Sequence, residues 1–331
     1  MDGLRAAAVD ISHLSCRKSL VILGMTNEEA LTHTVPLFLQ SMSRVRLSGG
    51  RDGGRTLDTA LVLVAWSRAA LRMCAGLQGE YRHQCVRDKE HRAARGSFNF
   101  HDTGFHALGF AKIKYILNGL SAGHDVVFLD TDVIMMADPL PYLLTHGSDL
   151  SASLEKCSVA NDTLSFNDPD FMNSTKSVPP LNIGTLYFKA TPGVARCVSN
   201  WALDMYGQVP WRPLVWDQDV YRLIMIKCTR HHGLRWQPLD PRVVQSACFP
   251  FCGCSFPDDA ISGDSLGDPA PGRPFVEGRA CAPEHWDGWL LRHFPCSGDS
   301  GSKGVLMKNL LEGMATNSAA VISKKWKRRR R

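Results

Sequence analysis

The sequence predicts an α/β fold, a mainly parallel sheet flanked by helices. Three observations predict it. Continuous apolar runs of strand length recur at residues 19–25, 59–66 and 125–129. Each run has a neighbouring segment in which apolar residues return at helical spacing. The composition of the 331 residues, 44% apolar and 21% charged, is that of a folded globular chain and excludes collagen, a coiled coil and wholesale disorder.

Taken in order, residues 1–18 form an N-terminal extension in which acids, serines and histidines break the apolar stretch, so it does not read as a signal peptide. Ser-Leu-Val-Ile-Leu-Gly-Met over 19–25 is the first strand, and Thr26-Asn27-Glu28-Glu29 supplies a cap before a helix over 30–42. A glycine-rich turn over 49–54 leads to the second strand, 59–66, and a helix over 68–77. A helix over 105–120 precedes the third strand, Asp-Val-Val-Phe-Leu at 125–129. Beyond residue 150 the pattern loosens into a strand over 181–189, helices over 193–206 and 217–227, and a loop over 248–281 rich in Pro, Gly, Asp and Cys. No repeat of fixed period is visible. The core domain spans 19–310, and 311–331 is a basic tail.

Charge narrows the function. The formal net charge is +6, yet residues 324–331 hold seven basic groups; without them 31 basic residues face 32 acidic ones. A nearly neutral body argues against nucleic-acid binding, which needs a basic face. No run of 18 apolar residues is present, so no segment reads as membrane-spanning. Eleven cysteines and two glycosylation sequons, at Asn161 and Asn173, point to an oxidising secretory compartment. The simplest way to reconcile these clues is a membrane anchor outside this chain.

The strongest chemical feature is Asp130-Thr131-Asp132, delivered by the third strand at its carboxyl end. Ligands of open parallel sheets bind beyond those ends. Two carboxylates one residue apart can share a hard divalent cation with water and phosphate oxygens, although aspartates after a strand are also common without one. Asp138-Pro139 reads as a helix cap followed by the first helical position.

The ordered series Lys112-Ile113-Lys114, Asp130-Thr131-Asp132, Asp138-Pro139, Leu181-Asn182-Ile183-Gly184, Trp216-Asp217-Gln218-Asp219 and His293 to Lys303 resembles the nucleotide-diphospho-sugar transferases of the retaining GT-A class. Within that class it is most similar to the group containing plant and algal arabinosyl- and xylosyltransferases. The resemblance spans roughly residues 19–310 and implies a GT-A-like (Rossmann-like) fold, a nucleoside diphosphate sugar donor such as a UDP-sugar, and a glycan or glycoprotein acceptor. It also implies Mn²⁺ (or Mg²⁺) as cofactor and a Golgi or other secretory-pathway lumen.

The resemblance further implies roles. Asp130, Asp132 and His293 would hold the metal, and Lys303, with Lys308 as the alternative, would touch phosphate. Lys112 would lie against the donor, Asn182 and Gly184 near the donor sugar, and Thr26 and Asn27 at the nucleoside, an N-cap being the other reading of this pair. Asp217 would bond sugar hydroxyls and Gln218 would face the anomeric carbon. A glutamine is a poor nucleophile, which favours front-side attack over a covalent intermediate. Trp201, Trp211 and Trp216 read either as an acceptor platform or as core packing.

Two rival readings remain. Phosphohydrolases of the haloacid dehalogenase type also use a strand ending in Asp-x-Asp, and Gly263-Asp264 with Asp268 matches their distal motif, but it follows a loop rather than a strand. A binding module that kept the fold and lost turnover is the other. The cysteines read as disulfides: Cys74 with Cys85 as an isolated pair, and Cys248, Cys252, Cys254, Cys281 and Cys296 as a cluster of open connectivity.

Overall fold

The computed structural model describes residues 2–12, 19–48, 54–89, 103–145, 147–155, 181–241, 243–246, 288–295 and 298–328. In chain order the elements are α1 (Asp2–Ala7), β1 (Val9–Asp10), β2 (Ser19–Thr26), α2 (Glu28–His33), α3 (Val35–Arg44), β3 (Leu61–Ala65), α4 (Arg68–Leu77), β4 (Gln84–Arg87), α5 (Thr103–Ser121) and β5 (Asp125–Leu129). They continue with β6 (Val133–Met135), α6 (Leu140–Thr145), β7 (Leu150–Leu154), β8 (Leu181–Phe188), α7 (Pro192–Gln208), α8 (Asp217–His232), β9 (Trp236–Pro238), β10 (Val244–Gln245), β11 (Leu291–His293) and α9 (Ser300–Arg328).

The main sheet runs β4-β3-β2-β5-β8-β7-β9, with β1 paired to the start of β2. All neighbours along this path are parallel except β8, which is antiparallel to both β5 and β7. A second sheet, β10-β11-β6, stands beside it. The predicted α/β architecture, a mainly parallel sheet flanked by helices, is therefore present.

Strands β2, β3 and β5 read as unbroken apolar runs because helices cover both faces of the sheet. Successive side chains point to opposite faces. Leu20 and Ile22 enter the core shared with α3 and α9, whereas Val21 and Leu23 enter the core shared with α5, α7 and α8. Each such fully buried side chain contributes about 1.5–3 kcal/mol of apolar transfer. The first residues join this fold: Leu4, Ala7, Val9 and Ile11 are buried, and β1 pairs with β2.

Local geometry departs from the sequence reading in three places. The single helix expected over 30–42 is two, α2 and α3, parted at Thr34. Pro36 is the cause, because it has no N–H and its ring excludes the carbonyl four residues earlier. The second strand begins at Leu61, after a 3₁₀ turn over Leu57–Ala60. Helix α6 begins at Leu140 rather than Pro139; the Asp138 carboxylate still caps it, accepting from the Leu140 N–H at 3.0 Å, while its other oxygen accepts from the Ser48 N–H.

Cys74 and Cys85 form a disulfide between α4 and β4, as read from the sequence. A second disulfide, Cys197–Cys228, joins α7 to α8 and was not anticipated. Cys248, Cys252, Cys254, Cys281 and Cys296 lie outside the described residues, as do Asn161 and Asn173. No helix among the described residues is long and apolar enough to cross a membrane.

Candidate active site

Strand β5 is buried along its whole length, so the chain first reaches polar surroundings at Asp130. There the Asp130 N–H donates to the Gly184 carbonyl at 2.8 Å, tying the strand end to β8. Three residues later the chain enters β6 in the second sheet. Asp130-Thr131-Asp132 thus bridges the two sheets. Antiparallel pairing of β6 with β11 sets His293 opposite Val133, and the Phe294 N–H donates to the Asp132 carbonyl at 3.0 Å. This register carries His293 to the acidic pair from more than 160 residues away.

The His293 Nε2 lies 3.1 Å from Asp132 Oδ1 and 3.7 Å from Asp130 Oδ2. Asp132 Oδ1 and both ring nitrogens of His293 are buried and have no hydrogen-bond partner. Buried polar atoms left unsatisfied are costly. One oxygen from each carboxylate and one ring nitrogen lie within 4.8 Å of one another. This oxygen-rich set with one imidazole suits a divalent cation, which would satisfy all three at once. Gly184 makes room for it: a Cβ there would stand 2.2 Å from His293 Cε1 and 2.7 Å from Asp130 Oδ2. Its role is close approach inside strand β8.

Two lysines answer the two carboxylates. Lys112, buried on α5, reaches Asp217 at 3.3 Å, Asp130 at 3.7 Å and the Ile183 carbonyl at 3.5 Å, with its ammonium 4.7 Å above the Phe128 ring. Burial works against its charge, but the two carboxylates outweigh it and hold the ammonium protonated, its pKa raised. Burial pushes the Asp217 carboxyl up against the pull of Lys112. Lys303, in the first turn of α9, lies 2.6 Å from Asp132. Burial would raise the Asp132 carboxyl; Lys303 first, then His293, more than offset it and hold it well below the usual carboxylate range.

Asp217 opens α8 and is almost fully buried, its backbone carbonyl accepting from Trp201 Nε1 at 3.0 Å. Helices α5 and α8 come this close at Gly109, where a Cβ would stand 2.9 Å from the Asp217 Cβ. The Gln218 amide is held at both ends, accepting from the Ile183 N–H at 3.2 Å and donating to Glu155. Asn182 accepts from the Gly184 N–H at 2.9 Å. Asn27 caps α2, accepting from the Ala30 N–H at 2.8 Å, and Thr26 donates to the Asn27 carbonyl.

Asp130, Asp132, His293, Lys112, Lys303, Asp217, Gln218, Asn182, Thr26 and Asn27 line one cavity of about 550 Å³, together with Trp66 and Leu108. Lys114 is engaged elsewhere, with Asp88, and Lys308 pairs with Glu312 on the surface, so Lys303 is the lysine at the site. The three tryptophans part company. Trp201 is core, Trp211 is exposed and Trp216 lines the cavity. The sequence reading missed Glu155 and Trp66. Both follow the carboxyl ends of strands parallel to β5, and that position is the signal that could have found them.

The family model described as nucleotide-diphospho-sugar transferase matches residues 56–260. The chain belongs to that family. It is an enzyme of the glycosyltransferase kind, and the Asp264 and Asp268 of the rival haloacid dehalogenase reading lie outside the described residues. No curated protein matches the transferase by sequence. Among solved structures it is similar to mouse xyloside xylosyltransferase 1 (15% identity, 68% of this chain and 87% of that one, TM-score 0.41). It is also similar to the galactosyltransferase LgtC in complex with donor and acceptor sugar analogs (14%, 83% and 87%, TM-score 0.46). A third likeness is to the glycosyltransferase GlyE of Streptococcus pneumoniae (13%, 67% and 45%, TM-score 0.38).

Proposed function

We propose that this transferase moves a sugar, with retention, from a UDP-sugar to a glycan or glycoprotein acceptor, in a metal-dependent reaction within the Golgi or another secretory lumen. The observation that carries the reading is the convergence of Asp130, Asp132 and His293, with buried ligand atoms lacking partners, in a cavity that Lys112 and Lys303 also line. A bound Mn²⁺ or Mg²⁺ would supply Lewis-acid neutralisation of the departing diphosphate.

The chain's own residues do the rest. Asp130, Asp132 and His293 hold the cation. Lys303 turns from Asp132 to a phosphate oxygen, and the N-terminal turns of α8 and α9 add partial positive charge. Thr26 and Asn27 border the nucleoside, Asn182 and Asp217 bond the sugar hydroxyls, and Lys112 holds Asp130 and Asp217 in place. Gln218, fixed by Glu155 and Ile183, presents its amide to the anomeric carbon without attacking it. The acceptor hydroxyl attacks the face from which UDP departs, its proton passing to the leaving phosphate oxygen, so configuration is retained. The two disulfides favour an oxidising compartment.

The test is UDP release from a panel of UDP-sugars with and without Mn²⁺, with product configuration read by NMR. Metal-dependent release and an anomeric configuration matching the donor are expected. Asp130→Ala and Asp132→Ala should each lower release by about a thousandfold or more, the loss of several kcal/mol of charge stabilisation. Turnover insensitive to chelator and to both substitutions overturns the reading. A shift in melting temperature with donor but no UDP release identifies a binding module instead.

A further inference from the structure

Seven large apolar side chains are exposed among the described residues, and five of them fall between residues 203 and 223: Leu203, Tyr206, Trp211, Leu214 and Leu223. Trp211 is 86% exposed and Tyr206 72%, values at which neither ring contributes to the core. Leu203 and Tyr206 stand three apart on α7 and share a helix face. The loop that carries Trp211 and Leu214 is stiffened by Pro210 and Pro213.

Cross-links tie together the elements that carry these residues. The Cys197–Cys228 disulfide and the pair Lys227–Asp204 bind α7 to α8. Arg212 reaches Asp219 at 2.6 Å and lays the loop against the start of α8, one turn from Leu223. Charge follows the same pattern. Between residues 192 and 232 the acids are Asp204, Asp217 and Asp219, and each is paired, with Lys227, Lys112 and Arg212 respectively. Arg196, Arg222 and Arg230 are exposed and have no ion-pair partner among the described residues.

We propose that this face is a docking surface for an anionic lipid bilayer, with Trp211 and Leu214 entering the headgroup–acyl boundary and the unpaired arginines meeting anionic headgroups. A protruding tryptophan with exposed leucines, on a segment whose acids are all paired and whose exposed unpaired charges are arginines, has the chemistry of an interfacial contact. Three leucines fit acyl chains better than sugar hydroxyls. The loop runs directly into Trp216 and Asp217 of the cavity, so docking would hold the site near the bilayer. The proposal does not depend on the reaction proposed above.

The test is co-sedimentation of the full chain with phosphatidylcholine vesicles containing about a third phosphatidylserine. The wild type, Trp211→Ser/Leu214→Ser and Arg222→Glu/Arg230→Glu are compared, with thermal melts confirming the fold. Each double variant should bind at least tenfold more weakly. Equal binding by all three overturns the proposal and assigns attachment to the basic tail. Absence of binding overturns it too. A dimer seen by light scattering, and lost in Trp211→Ser/Leu214→Ser, assigns the face to a second copy of the chain.

Discussion

Lys112 and Lys303 each serve one carboxylate of the same tripeptide, and they sit in opposite environments. Lys112 is enclosed between α5 and the main sheet and divides its charge between Asp130 and Asp217. Lys303 stands at the cavity rim in the first turn of a helix, paired with Asp132 and partly open to solvent. The inner cluster cannot change partners without stranding a buried charge. The outer one can release Asp132 to a cation and turn to an incoming phosphate at little cost. The site therefore joins a fixed electrostatic frame to a movable contact, and the seam between them runs through Asp130-Thr131-Asp132.

The largest way to break the comparison is at its fixed side. Lys112→Ala leaves Asp130 and the buried Asp217 uncompensated and should cost about 3–5 kcal/mol of stability, measured by urea unfolding. A loss below 1 kcal/mol would mean that the inner cluster is not a frame. Lys303→Ala should do the reverse. Its ammonium keeps some exposure, so the stability cost should be smaller than for Lys112, but donor turnover should fall about 10²–10³-fold, as for loss of one charge-stabilising donor. Equal unfolding costs for the two lysines would erase the distinction.

A smaller effect tests the seam. Gly184→Ala forces His293 and Asp130 apart, because the new Cβ would lie 2.2 Å and 2.7 Å from their side-chain atoms. Mn²⁺ affinity, measured by calorimetry, should weaken about 10–100-fold, while the Lys112–Asp217 pair remains. Unchanged affinity would place the cation elsewhere.

The smallest effect lies away from both lysines. Burial lowers the His83 pKa from its usual 6.5, so the folded state prefers the neutral ring. The unfolded chain binds the proton first, so this contribution is complete above about pH 6.5 and is lost as pH falls below it. The unfolding midpoint should drop between pH 7.5 and 5.5, by less in His83→Gln. An identical drop in His83→Gln would show that acid sensitivity arises elsewhere.

Strands β2, β3 and β5 were legible because burial on both faces leaves an unbroken apolar run, a one-dimensional signal. The acidic pair was legible because a buried strand must end where polar groups begin. Other features resisted for physical reasons. Pro36 sits at a position where it can either begin a helix or break one, and only packing chose the break at Thr34. Cys197 and Cys228 are 31 residues apart on two helices, and their pairing depends on how α7 packs on α8. Glu155 follows a strand of ordinary composition, and its partner Gln218 lies 63 residues away.

The sequence by itself determined the sheet, its carboxyl edge and the residue types gathered there, because periodicity and strand ends are properties of neighbours along the chain. Only the tertiary structure decided that Lys303 rather than Lys308 faces the cavity, that Lys112 binds two carboxylates at once, and that Gly184 yields its side-chain volume to His293. Those outcomes depend on distances between segments remote in the chain, which are set by close packing of the two sheets and by the cost of leaving a buried charge alone.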